Sequence, residues 1–181
     1  MSSTAAQSSE SQLVIMTNQL SECFDGNMKS RIIAQSFALA LQDFPDDEVI
    51  AFFDELHYII NSQNFSHSVK TSAFVTMSNW LTKYPIVAST FFGKLAIRSS
   101  VNFICQTTVY FYAMSPDFVE SVSCQKAAIY LLENFIGWCD NKILKIVQDQ
   151  VIEHLNMYLR YSDEPIYVET TKRVIELWKA I

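Results

Sequence analysis

SPDFVESVSCQKAAIYLLENFIGWC, residues 115–139, carries the clearest period in this chain. Phe118, Val122, Gln125, Ile129, Leu132, Ile136 and Cys139 recur at alternating spacings of four and three, which marks one face of an α-helix. Ser115 supplies an N-cap. Pro116 suits the first helical position because its missing N–H would have no partner there. Asp117 behind it suits the positive end of the helix dipole. The stretch predicts a long amphipathic helix.

The same period extends toward the C-terminus. Asp140-Asn141 interrupts, and the next helix carries Ile143, Val147, Val151, His154 and Tyr158. Ser162-Asp163-Glu164-Pro165 starts a last helix with Tyr167, Val174 and Trp178. Upstream, Ser99-Ser100 reads as the cap of a helix ending near Met114. That helix is apolar nearly all round (Val101, Phe103, Ile104, Val109, Tyr110, Phe111, Tyr112), so it is expected in the interior or in an interface. Val109–Tyr112 is strand-prone by composition but stands in a helical frame without flanking turn signals. Pro85 opens a helix over 86–98, with Val87, Phe91 and Leu95 in line. A helix over 66–84 places Val69, Ala73, Met77, Trp80 and Leu81 on one side.

Nearer the N-terminus, Pro45 precedes a helix with Val49, Phe52, Phe53, Leu56, Ile59 and Ile60, for which Asp46 and Asp47 offer a cap. A helix over 27–43 carries Ile32, Ile33, Phe37, Ala40 and Leu41. A first helix over 12–24 is a candidate docking helix through Leu13, Met16, Leu20 and Phe24, and Asp25-Gly26 stops it. Residues 1–11 read as a disordered tail and 12–181 as a single α-helical domain. Three glycines and four prolines in 181 residues are few for an all-β fold and for phosphate-cradling loops.

The links between these helices are two to five residues long, which makes successive helices antiparallel neighbours. Paired in order, the helices form units over 27–61, 66–98, 99–139 and 141–181. Units of this length resemble HEAT- and armadillo-type helical repeats. The fold class expected is all-α, with about nine helices in antiparallel pairs, as a short HEAT-like solenoid or an irregular helical bundle.

Charge is distributed unevenly. No Asp or Glu occurs from Leu56 to Pro116. The part through Asn61 holds nine acids and two bases, a net of −7. Ser62 to Pro116 holds only Lys70, Lys83, Lys94 and Arg98, a net of +4. The remainder holds ten acids and seven bases, a net of −3. Such a middle is either buried or offered to a partner. Lys83, Tyr84, Phe91, Phe92, Lys94 and Arg98 are the candidate partner-binding residues.

Chemistry is otherwise sparse. His57, His67 and His154 lack Cys or His neighbours at zinc-ligand spacing. Cys23, Cys105, Cys124 and Cys139 form no CxxC pair and lie on apolar faces, where a thiol behaves as a small hydrophobe. Asp43, Asp46, Asp47 and Glu48 cluster without calcium-loop spacing and read as a solvated helix junction. No cofactor motif and no catalytic constellation is legible, and the chain is expected not to be an enzyme. The opening residues lack a basic segment followed by an apolar one, so a cytoplasmic or nuclear location is expected, without membrane attachment.

The expected function is that of an adaptor or scaffold subunit in a larger intracellular complex, binding an acidic or amphipathic-helical protein partner. The second expectation is a nuclear, DNA-associated subunit whose basic middle touches nucleic acid. A sequence pI near 5.0 works against that reading.

Overall fold

The computed structural model describes residues 44–113, 119–162 and 166–181. Among them are seven helices: α1 (Asp46–Asn61), α2 (His67–Lys83), α3 (Pro85–Lys94), α4 (Ile97–Ala113), α5 (Val119–Trp138), α6 (Asn141–Tyr161) and α7 (Val168–Lys179). They make up 87% of the described residues, which include no strand. These correspond to the third to ninth predicted helices. The predicted helices over 12–24 and 27–43, the tail 1–11 and the Ser115-Pro116-Asp117 start lie outside the described residues. The chain divides into two compact units, Met1–Trp80 and Leu81–Ile181.

In the first unit α1 buries the predicted stripe: Val49, Phe52, Phe53, Leu56, Ile59 and Ile60. Its capping differs from expectation. Pro45 is the N-cap and no side chain accepts a hydrogen bond there. Asp46, Asp47 and Glu48 instead occupy the first turn, where their charge suits the dipole without closing a cap. Trp80 of α2 lies against Phe52, with ring centroids 5.0 Å apart, and against Phe44 at 5.8 Å. Val69, Ala73, Met77 and Trp80 are all buried, as their spacing requires.

In the second unit each helix packs beside the next or the next but one. α4 lies on α5 and α6, α6 on α7, α5 on α7, and α3 on α5. Aromatic rings fill the space between α3, α4 and α5. Phe92 stacks on Phe103 at 6.0 Å and on Trp138 at 6.1 Å, and meets Phe135 edge-on at 5.4 Å. Each fully buried ring contributes roughly 2–3 kcal/mol of transfer free energy. α5 is buried on a broader face than its stripe foretells, because Cys124, Ala127, Ala128, Leu131 and Phe135 join Gln125, Ile129 and Leu132.

The boundary between α3 and α4 is shifted from the expected place. α3 ends at Lys94, not Arg98, and Leu95 turns to an extended conformation with φ −67° and ψ 141°. α4 begins at Ile97, so Ser99 and Ser100 lie inside it. Ser100 is fully buried and its backbone N–H bonds Ala96 O at 3.0 Å. The chain leaves the helix there because Phe91 and Phe92 must face the core of this unit along with Phe103 and Ile104. No glycine or proline at 95–96 announces the break. Val109–Tyr112 is helical, as expected. Tyr167 precedes α7 as its N-cap residue and does not lie within it.

Candidate functional site

α3 and its flanks carry three of the four cations of the basic middle, Lys83, Lys94 and Arg98. Pro85 stands at its start, where a missing N–H costs nothing. Val87, Ala88, Phe91 and Phe92 turn inward. The opposite face is Ile86, Ser89, Thr90 and Gly93, all exposed. The Thr90 hydroxyl donates to Ile86 O at 3.1 Å, so it is occupied by its own helix. A Cβ placed on Gly93 would meet nothing within 4 Å.

The candidate residues divide sharply by exposure. Lys83, Lys94 and Arg98 are exposed. Lys83 holds its ammonium 5.1 Å from the centroid of the Tyr84 ring, and Tyr84 is half-buried. Phe91 and Phe92 are 1% and 2% exposed. They are core residues, and the expectation that they join the surface with the cations is corrected. Lys94 lies in the last turn of α3, where a cation suits the negative end of the dipole. Sequence reasoning missed Ile86 and Ile97, which are 80% and 58% exposed. The only available signal was their place outside the buried stripe. Leu13, Met16, Leu20 and Phe24 lie outside the described residues.

The electrostatics of this surface differ from those of α7. There Lys172 pairs with Glu169 at 2.9 Å, Lys179 with Glu176 at 2.8 Å, and Arg173 grips Glu133 of α5 through two bonds, Nη2 to Oε2 at 2.8 Å. Among the described residues neither Lys94 nor Arg98 forms an ion pair. No carboxylate occurs from Leu56 to Pro116, so neither has a local acid of the kind that Lys172 and Lys179 pair with.

Other chemistry-bearing residues are dispersed. His57 is half-buried in α1 and His67 is exposed at the start of α2. His154 lies edge-on to Tyr112, its Nδ1 2.8 Å from Gln150 O. Among the described residues no group of three His, Cys, Asp or Glu side chains is arranged to hold a metal ion. Cys124 is fully buried. The Cys105 thiol donates to Gln150 Oε1 at 3.3 Å, and burial pushes it upward despite that bond. Burial pushes Cys139 up to about 12. An open depression on α6 is lined by Glu153, Asn156, Met157, Arg160 and Tyr161. Among the described residues no helix is long and apolar enough to cross a membrane. In comparisons with known proteins, the chain matches no family model, no curated protein and no solved structure.

Proposed function

We propose that the chain is a non-enzymatic helical adaptor, a subunit that joins a larger intracellular assembly through the surface running from Lys83 to Arg98. One observation carries this reading. The surface is exposed, holds three cations among uncharged side chains, and lies in a segment without a single carboxylate. Water-facing helical surfaces ordinarily mix both signs of charge. A surface of one charge sign suits a partner of the opposite sign.

The packing supports a HEAT-like arrangement. Helices that contact their sequence neighbour and the helix two further on have the adjacency of stacked pairs, and stacked pairs present extended binding surfaces. Within the second unit the pairs would be α4 with α5 and α6 with α7.

A nuclear, DNA-associated subunit would use the same cations. Burial of Phe91 and Phe92 removes two of the three rings that would stack on bases, so a protein partner with acidic groups is preferred.

Cross-linking of the full chain in lysate from its source cells tests the reading. Amine-reactive links to other proteins should concentrate on Lys83 and Lys94 over Lys126, Lys142 and Lys145. An even distribution over all exposed lysines, or a chain that remains monomeric and unlinked, would overturn it.

A further inference from the structure

α4 and α6 lie side by side, and three contacts fix their direction. The Cys105 thiol meets Gln150 at 3.3 Å, the Phe111 ring meets Tyr158 at 4.6 Å and the Tyr112 ring meets His154 at 5.9 Å. Later residues of α4 meet later residues of α6, so the two helices run parallel. Cys105 is the ninth residue of α4 and Gln150 the tenth of α6. The first turns of the two helices are therefore level, with axes about 10 Å apart.

Each of these first turns carries a cation in the second helical position, Arg98 in α4 and Lys142 in α6, and Lys145 follows within α6. All three are exposed. Among the described residues none of them forms an ion pair. Neither first turn contains a carboxylate. Asp140, just before α6, is engaged with the Lys142 backbone N–H. Cations at a helix start oppose the dipole, whose positive end is already there. The fold gains nothing electrostatically from Arg98 or Lys142 in these places, and two parallel helices set their positive ends together. Two aliphatic side chains stand beside the cations: Ile97 is 58% exposed and Ile146 61%.

We propose that the level starts of α4 and α6 receive a short acidic segment of another protein. Its carboxylates reach Arg98, Lys142 and Lys145, and its aliphatic side chains rest on Ile97 and Ile146. Charge complementarity selects this occupant. A nucleic-acid strand fits less well, because the exposed neighbours offer no ring for bases to stack on. Asp149 and Glu153, exposed further along α6, would also repel a continuing phosphate backbone. The inference rests on the adaptor reading and extends its surface from Arg98 to a helix remote in sequence. An acidic segment without lysine offers no amine, so it leaves Lys142 and Lys145 unlinked, and links at Lys83 and Lys94 come from the rest of that partner.

The test uses the full chain and synthetic peptides of about 12 residues, long enough when extended to span both helix starts. One is built of Glu and Leu, the second has Lys in place of Glu, and the third has Ser in place of Leu. The Glu–Leu peptide should shift the backbone amide signals of residues 97–100 and 141–146. At low salt it should bind about tenfold or more tighter than the Lys peptide and about threefold or more tighter than the Ser peptide. Arg98→Glu and Lys142→Glu should each weaken that binding about fivefold or more without lowering the thermal midpoint, because an acid suits the first turn. A purely structural role for these cations predicts the reverse, a lowered midpoint with unchanged binding. Lys126→Glu, on α5, should leave binding within about twofold.

Equal binding of the Glu and Lys peptides, no binding, or shifts confined to other residues would overturn the proposal. So would an oligothymidylate of the same length binding these residues more tightly than the Glu–Leu peptide. Cross-links at Lys83 and Lys94 alongside any of those results would leave the adaptor reading standing. A chain that binds the Glu–Leu peptide here yet stays monomeric and unlinked in lysate would sink the adaptor reading alone.

Discussion

Burial pushes the Cys139 thiol up to about 12 from its ordinary value of 9.0. Only the thiolate is nucleophilic, so at pH 8 the folded chain holds roughly a thousandfold less of it at this site than an open chain does. Iodoacetamide labelling read residue by residue should be slower at Cys139 by about that factor in buffer than in denaturant, and equal rates would refute the burial argument. The same shift has a stability consequence. Well below pH 9 the thiol is protonated in both states and the fold is unaffected. As the pH rises from about 9 toward 12, the unfolded chain ionises first and the fold loses stability. Tyr110, also pushed up by burial and then by Cys124, acts in the same direction. Urea midpoints should therefore fall on the alkaline side, and Cys139→Ala should reduce the slope. Trp178 is the other residue that decides much. It is fully buried, and its indole N–H donates to Leu132 O at 2.8 Å. Trp178→Ala should cost about 3–5 kcal/mol, measured by urea denaturation. Trp178→Phe should cost less, because it keeps most of the ring and removes the donor with it. The burial of Trp178 was legible from its period. The bond to Leu132 was not, since its partner lies 46 residues away.

At the level of the helix, caps and faces follow different rules. Asp140 caps α6 by accepting from the Lys142 N–H at 2.8 Å. Asp140→Ala should cost about 1 kcal/mol, and a change below a few tenths by thermal denaturation would show that the cap contributes nothing. The sequence marked Asp140-Asn141 only as an interruption. At α1 the reverse occurred: two aspartates were in place to cap, yet Pro45 took the position and left them in the first turn. Both misreadings concern one residue at a helix end, where several side chains compete and the direction of the entering chain decides. The Arg173–Glu133 pair joins α7 to α5 with good geometry, but the arginine side chain is 56% exposed. A double-mutant cycle should return no more than about 1 kcal/mol. The break at Leu95–Ala96 was marked only by Gly93 and Lys94 in the last turn of α3, a weak sign of a helix end. It arises because the rings of α3 and α4 pack into one aromatic cluster, which a continuous helix through 95–96 would not allow.

For the molecule as a whole, the arrangement of charge is the property with functional reach. An acidic chain with a basic middle should bind an acidic partner through that middle and be steered by it. Its association rate should fall steeply as ionic strength rises, while dissociation changes little. Lys94→Glu together with Arg98→Glu should remove the salt dependence of the rate in stopped-flow measurements. If the rate of the unaltered chain is indifferent to salt, the charged surface is not the contact. The sequence by itself determined the helices, because a period of 3.6 is written locally and each apolar stripe must be covered by something. It also determined the carboxylate-free segment, which is composition alone. Only the tertiary structure decided which residues of that segment meet water. Phe91 and Phe92 stand between Ile86 and Lys94 in the chain, and their pattern fits an interface as well as a core. Packing against α5 turns Phe92 inward, Phe91 is buried beside it, and Ile86, Gly93 and the cations stay outside. Burial is settled by neighbours distant in sequence, and no local pattern records which of two apolar faces those neighbours will cover.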